Sequence, residues 1–157
     1  MKVTDISELP FFFDRYIKNV ETDIELLDGL KSISPEKVFK DINKLTALKD
    51  KVYEKGKWTI NDIIQHCIDT ERIMAFRALS IARGENQNIP GFEENNYAKN
   101  TNANTRTISD LLEEYMIVRN GTIVLFQNLS DASLLRKGLT NDIEIEALSL
   151  GFVIIGH

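Results

Sequence analysis

The residues able to bind a metal ion or move a proton are few. Two histidines, His66 and His157, and one cysteine, Cys67, are the only nitrogen and sulfur donors of metal-binding type among 157 residues. Neutral imidazoles suit zinc, nickel and related divalent ions, but a catalytic centre normally takes three protein ligands and leaves a position open. Two histidines are one short. Cys67 adjoins His66 in sequence but stands about 100° away around a helix, a poor arrangement for sharing one ion. It reads as a small core residue, with a reactive thiol as the lesser alternative. His66 lies about 20° from Ile73 and Arg77, about 60° from Ile63 and about 40° from Thr70 around the helix, at an edge of its apolar stripe. A lone histidine there is more often a packed core residue than a ligand, and the same holds for His157, one turn beyond Val153. Together the case improves, because ligand sites in helix bundles are assembled from inward-facing side chains of different helices.

Two acids stand close to His66. Asp69 is three residues on and can orient or support a site, whereas Glu71 falls among Ile60, Ile64, Cys67 and Met74 and can enter the interior. Both are candidates for acid-base duty. Arg119 interrupts an apolar run between Tyr115 and Thr122; a buried Glu71–Arg119 pair would be costly unless well hydrogen-bonded, so a snorkelling Arg119 is the simpler expectation. The chain contains no glycine-rich phosphate loop, nucleophile elbow or Cys-x-x-Cys motif.

Four helical segments must position these groups. Phe13, Ile17, Val20, Ile24 and Leu27 recur at spacings of four and three, which predicts one amphipathic helix. Ser34-Pro35-Glu36 starts a short helix expected to run to about Asp41, followed by a weak helical stretch over Lys44 to Tyr53. The clearest start is Thr59, poised to cap the amide of Asp62 with Trp58 and Ile63 as a hydrophobic staple, for a helix from Ile60 to about Arg83 that stops at Gly84. Seven asparagines with Pro90-Gly91 fill the span from Gly84 to Arg106, a crossover or a substrate-facing flap. Thr107 with Asp110 opens the next helix, whose core face carries Ile108, Leu111, Leu112, Tyr115, Thr122, Ile123, Phe126 and Leu129. Ile145, Leu148, Phe152 and Ile155 close the pattern as a last helix from about Glu144, although the alternation over Asp142 to Glu146 equally fits a short strand. The expectation is one all-α domain over residues 1–157, a four-helix bundle.

Composition bounds the partners. With 24 acidic and 19 basic residues the net charge is -5, which gives no general attraction to nucleic acid or anionic lipid. No apolar run approaches the roughly 20 residues of a membrane span, and the N-terminus lacks a signal-peptide layout, so a cytoplasmic location is expected.

Gly56-Lys57-Trp58-Thr59, His66, Asp69-Thr70-Glu71-Arg72, Arg77-Ala78, Arg83-Gly84, Ile89-Pro90-Gly91-Phe92, Arg119 and the closing Ile154-Ile155-Gly156-His157 together resemble the DinB superfamily, in its branch of small metal-dependent hydrolases. The resemblance implies an up-down-down-up bundle with a long crossover between the second and third helices. It implies zinc or nickel held by one histidine of the second helix and two of the fourth, in a His-x-x-x-His pattern. His66 and His157 match the first two ligands; the third is expected at position 161, past the last residue of the sequence. A last helix over 144–157 would be about 21 Å long against about 36 Å for that over 60–83, so the natural chain is expected to continue by about 10 residues or more. By the same resemblance the substrate is a small molecule, the reaction hydrolysis or transfer of a low-molecular-weight thiol, and the assembly a homodimer. The rival expectation is a non-catalytic dimeric binding or stress-response module with a vestigial metal site.

Overall fold

The computed structural model describes residues 1–48 and 50–157. In chain order the helices are α1 (Asp14–Ile17), α2 (Leu26–Ser32), α3 (Pro35–Val38), α4 (Ile42–Leu48), α5 (Ile60–Ala82), α6 (Glu94–Lys99), α7 (Ile108–Gln127), α8 (Asp131–Leu134) and α9 (Ala147–Gly156). A two-stranded hairpin, β1 (Lys137–Thr140) and β2 (Ile143–Glu146), precedes α9. Among the described residues no helix is long and apolar enough to cross a membrane.

The bundle is formed by the N-terminal arm of α1 and α2, then α5, α7 and α9. Cross-links give the helix directions. Gln65, Arg72 and Glu71 of α5 bond to Arg106, Glu114 and Arg119 respectively, so α5 and α7 run parallel. Position 66 of α5 meets position 157, while Ile81 lies against Gly138 just before α9, so α9 runs antiparallel to α5. Leu26 faces Gly151 and Gly29 faces Ile155, which sets α2 parallel to α9. The order is therefore up-down-down-up, as the motif resemblance implies.

α9 is apolar on all sides, and Ala147 through Ile155 are buried without exception, the pattern of a helix enclosed by its neighbours. Gly151 admits the close approach of Leu26 and Phe126, since a Cβ there would lie 2.7 Å from Leu26 Cδ1 and 3.0 Å from the Phe126 ring.

The helix predicted over Phe13 to Leu27 does not form as one piece. After α1 the amides of Asn19 and Val20 bond back only three residues, and the chain leaves helical geometry through Glu21-Thr22-Asp23, residue types that favour turns. The Leu26 amide donates to the Met1 carbonyl at 2.9 Å and the N-terminal amine pairs with Glu25, contacts between distant residues that restart the chain as α2. Phe13, Ile17, Val20 and Leu26 are nevertheless buried, so the apolar seam survives the loss of the continuous helix. The short helix from Pro35 ends at Val38 rather than near Asp41, because the Asp41 carboxylate accepts the Lys44 amide at 3.0 Å and starts α4 instead. The stretch expected over Lys44 to Tyr53 is helical only to Leu48, and Lys49 lies outside the described residues.

For residues 142–146 the strand alternative is the correct one, and a helix beginning at Glu144 is not. Asn141 and Asp142 take φ of 51° and 62°, the positive values that a two-residue type I′ hairpin loop needs and that these short polar side chains tolerate. Lys137 pairs with Glu146 and Thr140 with Ile143 across the hairpin. Ile89 of the crossover docks on its edge, its amide donating to Leu139 and its carbonyl accepting from Asn141.

Candidate metal centre

α5 starts where the sequence predicts. The Thr59 hydroxyl accepts the Asp62 amide at 3.1 Å and the Asp62 carboxylate accepts the Thr59 amide at 3.0 Å, which satisfies two of the free donors of the first turn. One turn later His66 leaves the helix half-buried, beside the Trp58 ring at 4.8 Å between centroids. Its Nδ1 faces the Thr70 hydroxyl at 3.5 Å, one turn further along the same face.

His157 arrives from the end of α9. Gly156 lies directly against the Tyr16 carbonyl, an approach that a Cβ would prevent, and the Tyr16 ring sits 5.2 Å from that of His157. The result is that Nε2 of His66 and Nε2 of His157 face each other at 3.2 Å.

That distance fits a shared divalent ion. Two metal–nitrogen bonds of about 2.0–2.1 Å at a tetrahedral angle put their nitrogens about 3.3–3.4 Å apart. Protonation states fit as well. Burial lowers the pKa of His66, against the opposing charges of Glu94 and Asp69. Although His157 keeps an open side to solvent, the crowding of its ring and the neighbouring His66 bring it down to about 4. Both rings are therefore neutral, the form in which imidazole binds a metal. Among the described residues no third His, Cys, Asp or Glu completes a metal-binding group.

The two acids singled out from the sequence are engaged elsewhere. The Asp69 carboxylate accepts from Gln65 Nε2 at 2.9 Å. Glu71, 3% exposed, accepts from Arg119 Nε at 2.9 Å and Nη2 at 2.8 Å. The snorkelling Arg119 is thus corrected: the side chain is buried, and its Nη1 also donates to the carbonyls of Leu30 and Ile33. With every guanidinium nitrogen bonded, the cost of desolvating the pair is offset, and Arg119 ties α7 to the end of α2. Cys67 is a packed residue whose thiol burial pushes up to about 11, so the inert reading holds over the reactive one.

Beside His157 a cleft of about 370 Å³ opens between α3, α5, α7 and α9, with walls that include Phe39, Ile63, Cys67, Tyr115 and Ile154. Tyr16 and Trp58 were not legible as site residues. Thr70 carried a signal, being four residues from His66 on one helix face; Tyr16 reaches the site only through long-range packing.

A family model described as the DinB superfamily matches residues 36–157 of the chain. Among solved structures, YfiT from Bacillus subtilis, described as a probable metal-dependent hydrolase with an unusual four-helix bundle topology, is similar to it. The two share 18% identity at a TM-score of 0.71, over 87% of this chain and 83% of that one, a likeness of fold. No curated protein matches.

Proposed function

The chain belongs to the DinB superfamily, and from that membership we propose that it is a divalent-metal-dependent hydrolase whose ion, zinc or nickel, is held by His66 and His157. The observation that carries the reading is the 3.2 Å approach of their Nε2 atoms. YfiT, the similar structure, is itself described as a probable metal-dependent hydrolase. When bound, such an ion supplies Lewis acidity and lowers the pKa of a water, or of a low-molecular-weight thiol, at its open position.

The chain's own residues set the remaining conditions. Partial burial of His66, and for His157 the crowding of its ring and the neighbouring His66, favour the unprotonated imidazoles that bind a metal. Thr70 opposite His66 Nδ1 fixes the ring so that Nε2 points at His157. Trp58 and Tyr16 wall the two rings and shed water from their flanks. The cleft beside His157 gives a small substrate an apolar seat next to the reacting centre.

Equilibrium dialysis against zinc and nickel tests the proposal. The expected result is close to one equivalent bound, lost in His66→Ala and in His157→Ala while the helical circular dichroism is retained. A protein that binds neither metal, or that binds as well without either histidine, refutes it.

A further inference from the structure

Resting on that reading, we propose that the substrate is an uncharged acyl compound bound in two clefts that meet at Ile63, its apolar acyl chain on the His157 side and an aromatic leaving group on the His66 side.

Ile63, one turn before His66 on α5 and 38% exposed, is part of the wall of both clefts. The first is the cleft of about 370 Å³ that His157 helps to line. The second, of about 390 Å³, is walled by Tyr53, Lys57, Trp58 and Asn95. Trp58 joins it to the centre, since its ring centroid lies 4.8 Å from that of His66. The imidazole pair, with its Nε2 atoms 3.2 Å apart, therefore bridges the two clefts. A molecule longer than either cleft can lie across Ile63 and present its middle to both histidines.

The walls tell the two limbs apart. Arg119 is the one charged side chain lining the first cleft among the described residues, and Glu71 with the carbonyls of Leu30 and Ile33 takes its guanidinium nitrogens. A charged limb there would lose its water and find no free counter-charge. An alkyl chain against Phe39, Tyr115 and Ile154 is favoured by burial instead. The second cleft is aromatic and more open to solvent. Tyr53 is 81% exposed, and the Lys57 ammonium stands 5.8 Å from the centre of its ring. Aromatic rings pack well there, and a cation is at hand for the negative charge of a departing oxygen.

The hydrolysis balances with water as the co-reactant. The water oxygen bonds to the acyl carbon and gives up one proton to solvent. The bond from that carbon to the aromatic oxygen breaks, and this oxygen leaves with the electron pair as a phenolate.

Anilides keep both limbs and resist hydrolysis, so binding can be read on the metal-free protein. The test is equilibrium dialysis against acetanilide, hexananilide and succinanilate, with the fluorescence of Trp58, the single tryptophan, as a second readout. Hexananilide is expected to bind about tenfold or more tighter than acetanilide, burial contributing up to about fourfold per methylene. Succinanilate, whose chain ends in a carboxylate, should bind no tighter than acetanilide. Val38→Lys, at an exposed position of the first cleft, should weaken hexananilide and tighten succinanilate, the latter by up to about fivefold. Tyr53→Ala should weaken all three alike, by about two- to tenfold, and leave the preference for the longer chain. The proposal is overturned by equal affinities for acetanilide and hexananilide, by no binding of any anilide, or by wild-type affinities in either variant. Failure of the wild type to bind zinc in a separate dialysis overturns the metal reading instead.

Discussion

Gly156 of α9 is pressed against the Tyr16 carbonyl of α1, with no room for a side chain between the two backbones. This contact fixes the end of the buried helix and thereby aims His157 at His66, from the far side of the bundle.

Gly156→Ala should therefore damage the site as well as the fold. Overpacking at a rigid backbone contact costs about 1–3 kcal/mol, readable as a lower urea midpoint. Because α1 and the tip of α9 must separate, zinc affinity should fall in the same variant. Unchanged affinity at reduced stability would show that His157 is aimed by something other than this contact.

The Glu71–Arg119 pair makes a second prediction. Removing one partner leaves a buried charge uncompensated, so Glu71→Met should cost about 3–5 kcal/mol. Arg119→Met should cost a similar amount, since it also frees the Leu30 and Ile33 carbonyls. The double variant should be more stable than the sum of the single losses implies, a coupling that a double-mutant cycle by chemical denaturation measures directly.

Cys67 gives a dependence at high pH. Burial, then the charge of Glu71, raise its thiol from 9.0 to about 11 in the folded chain. The native state thus retains a proton that the unfolded state releases between about pH 9 and 11, and stability falls as pH rises through that window. Thermal melts of wild type should lose ground against Cys67→Ser there. At pH 8 the folded thiol should also react with iodoacetamide about 100-fold more slowly than in denaturant, in proportion to the thiolate present.

At the acid end the network of Arg106 with Asp110 and Glu114 dominates. Burial pushes Glu114 up, but bonds from Arg72 and Arg106 outweigh it and hold the carboxyl below its ordinary value of 4.5; the Arg106 bond lowers Asp110 likewise. Their stabilisation is present above the unfolded pKa values near 4 and is lost as pH falls through the lower folded values. Arg106→Gln should accordingly destabilise the protein at pH 7, by about 1 kcal/mol for a part-exposed network, and much less at pH 3. Equal losses at both pH values would remove the ionic account.

Much of the scaffold was legible in the chain because its signals are local. Thr59 and Asp62 cap α5 through bonds three residues apart, and Thr107 with Asp110 does the same for α7. The apolar period marked Leu111, Tyr115 and Phe126 as core before any contact was visible. The break between α1 and α2 was not legible, since the Met1 carbonyl and amine that restart the chain at Leu26 and Glu25 come from the distant N-terminus. Arg119 was misread for the same reason: the two carbonyls that satisfy it belong to a different helix.

The sequence alone therefore determined the helical periods, the caps and the two imidazoles, each a matter of residue type and spacing within a few turns. Their meeting at 3.2 Å was decided by tertiary structure. Residues 66 and 157 belong to antiparallel helices, and only the packing of α9 between the arm and α5 sets the depth at which their side chains come level. The roles of the acids were decided there too. Packing against a different helix left Glu71 to Arg119, whereas Asp69 keeps to Gln65 of its own helix.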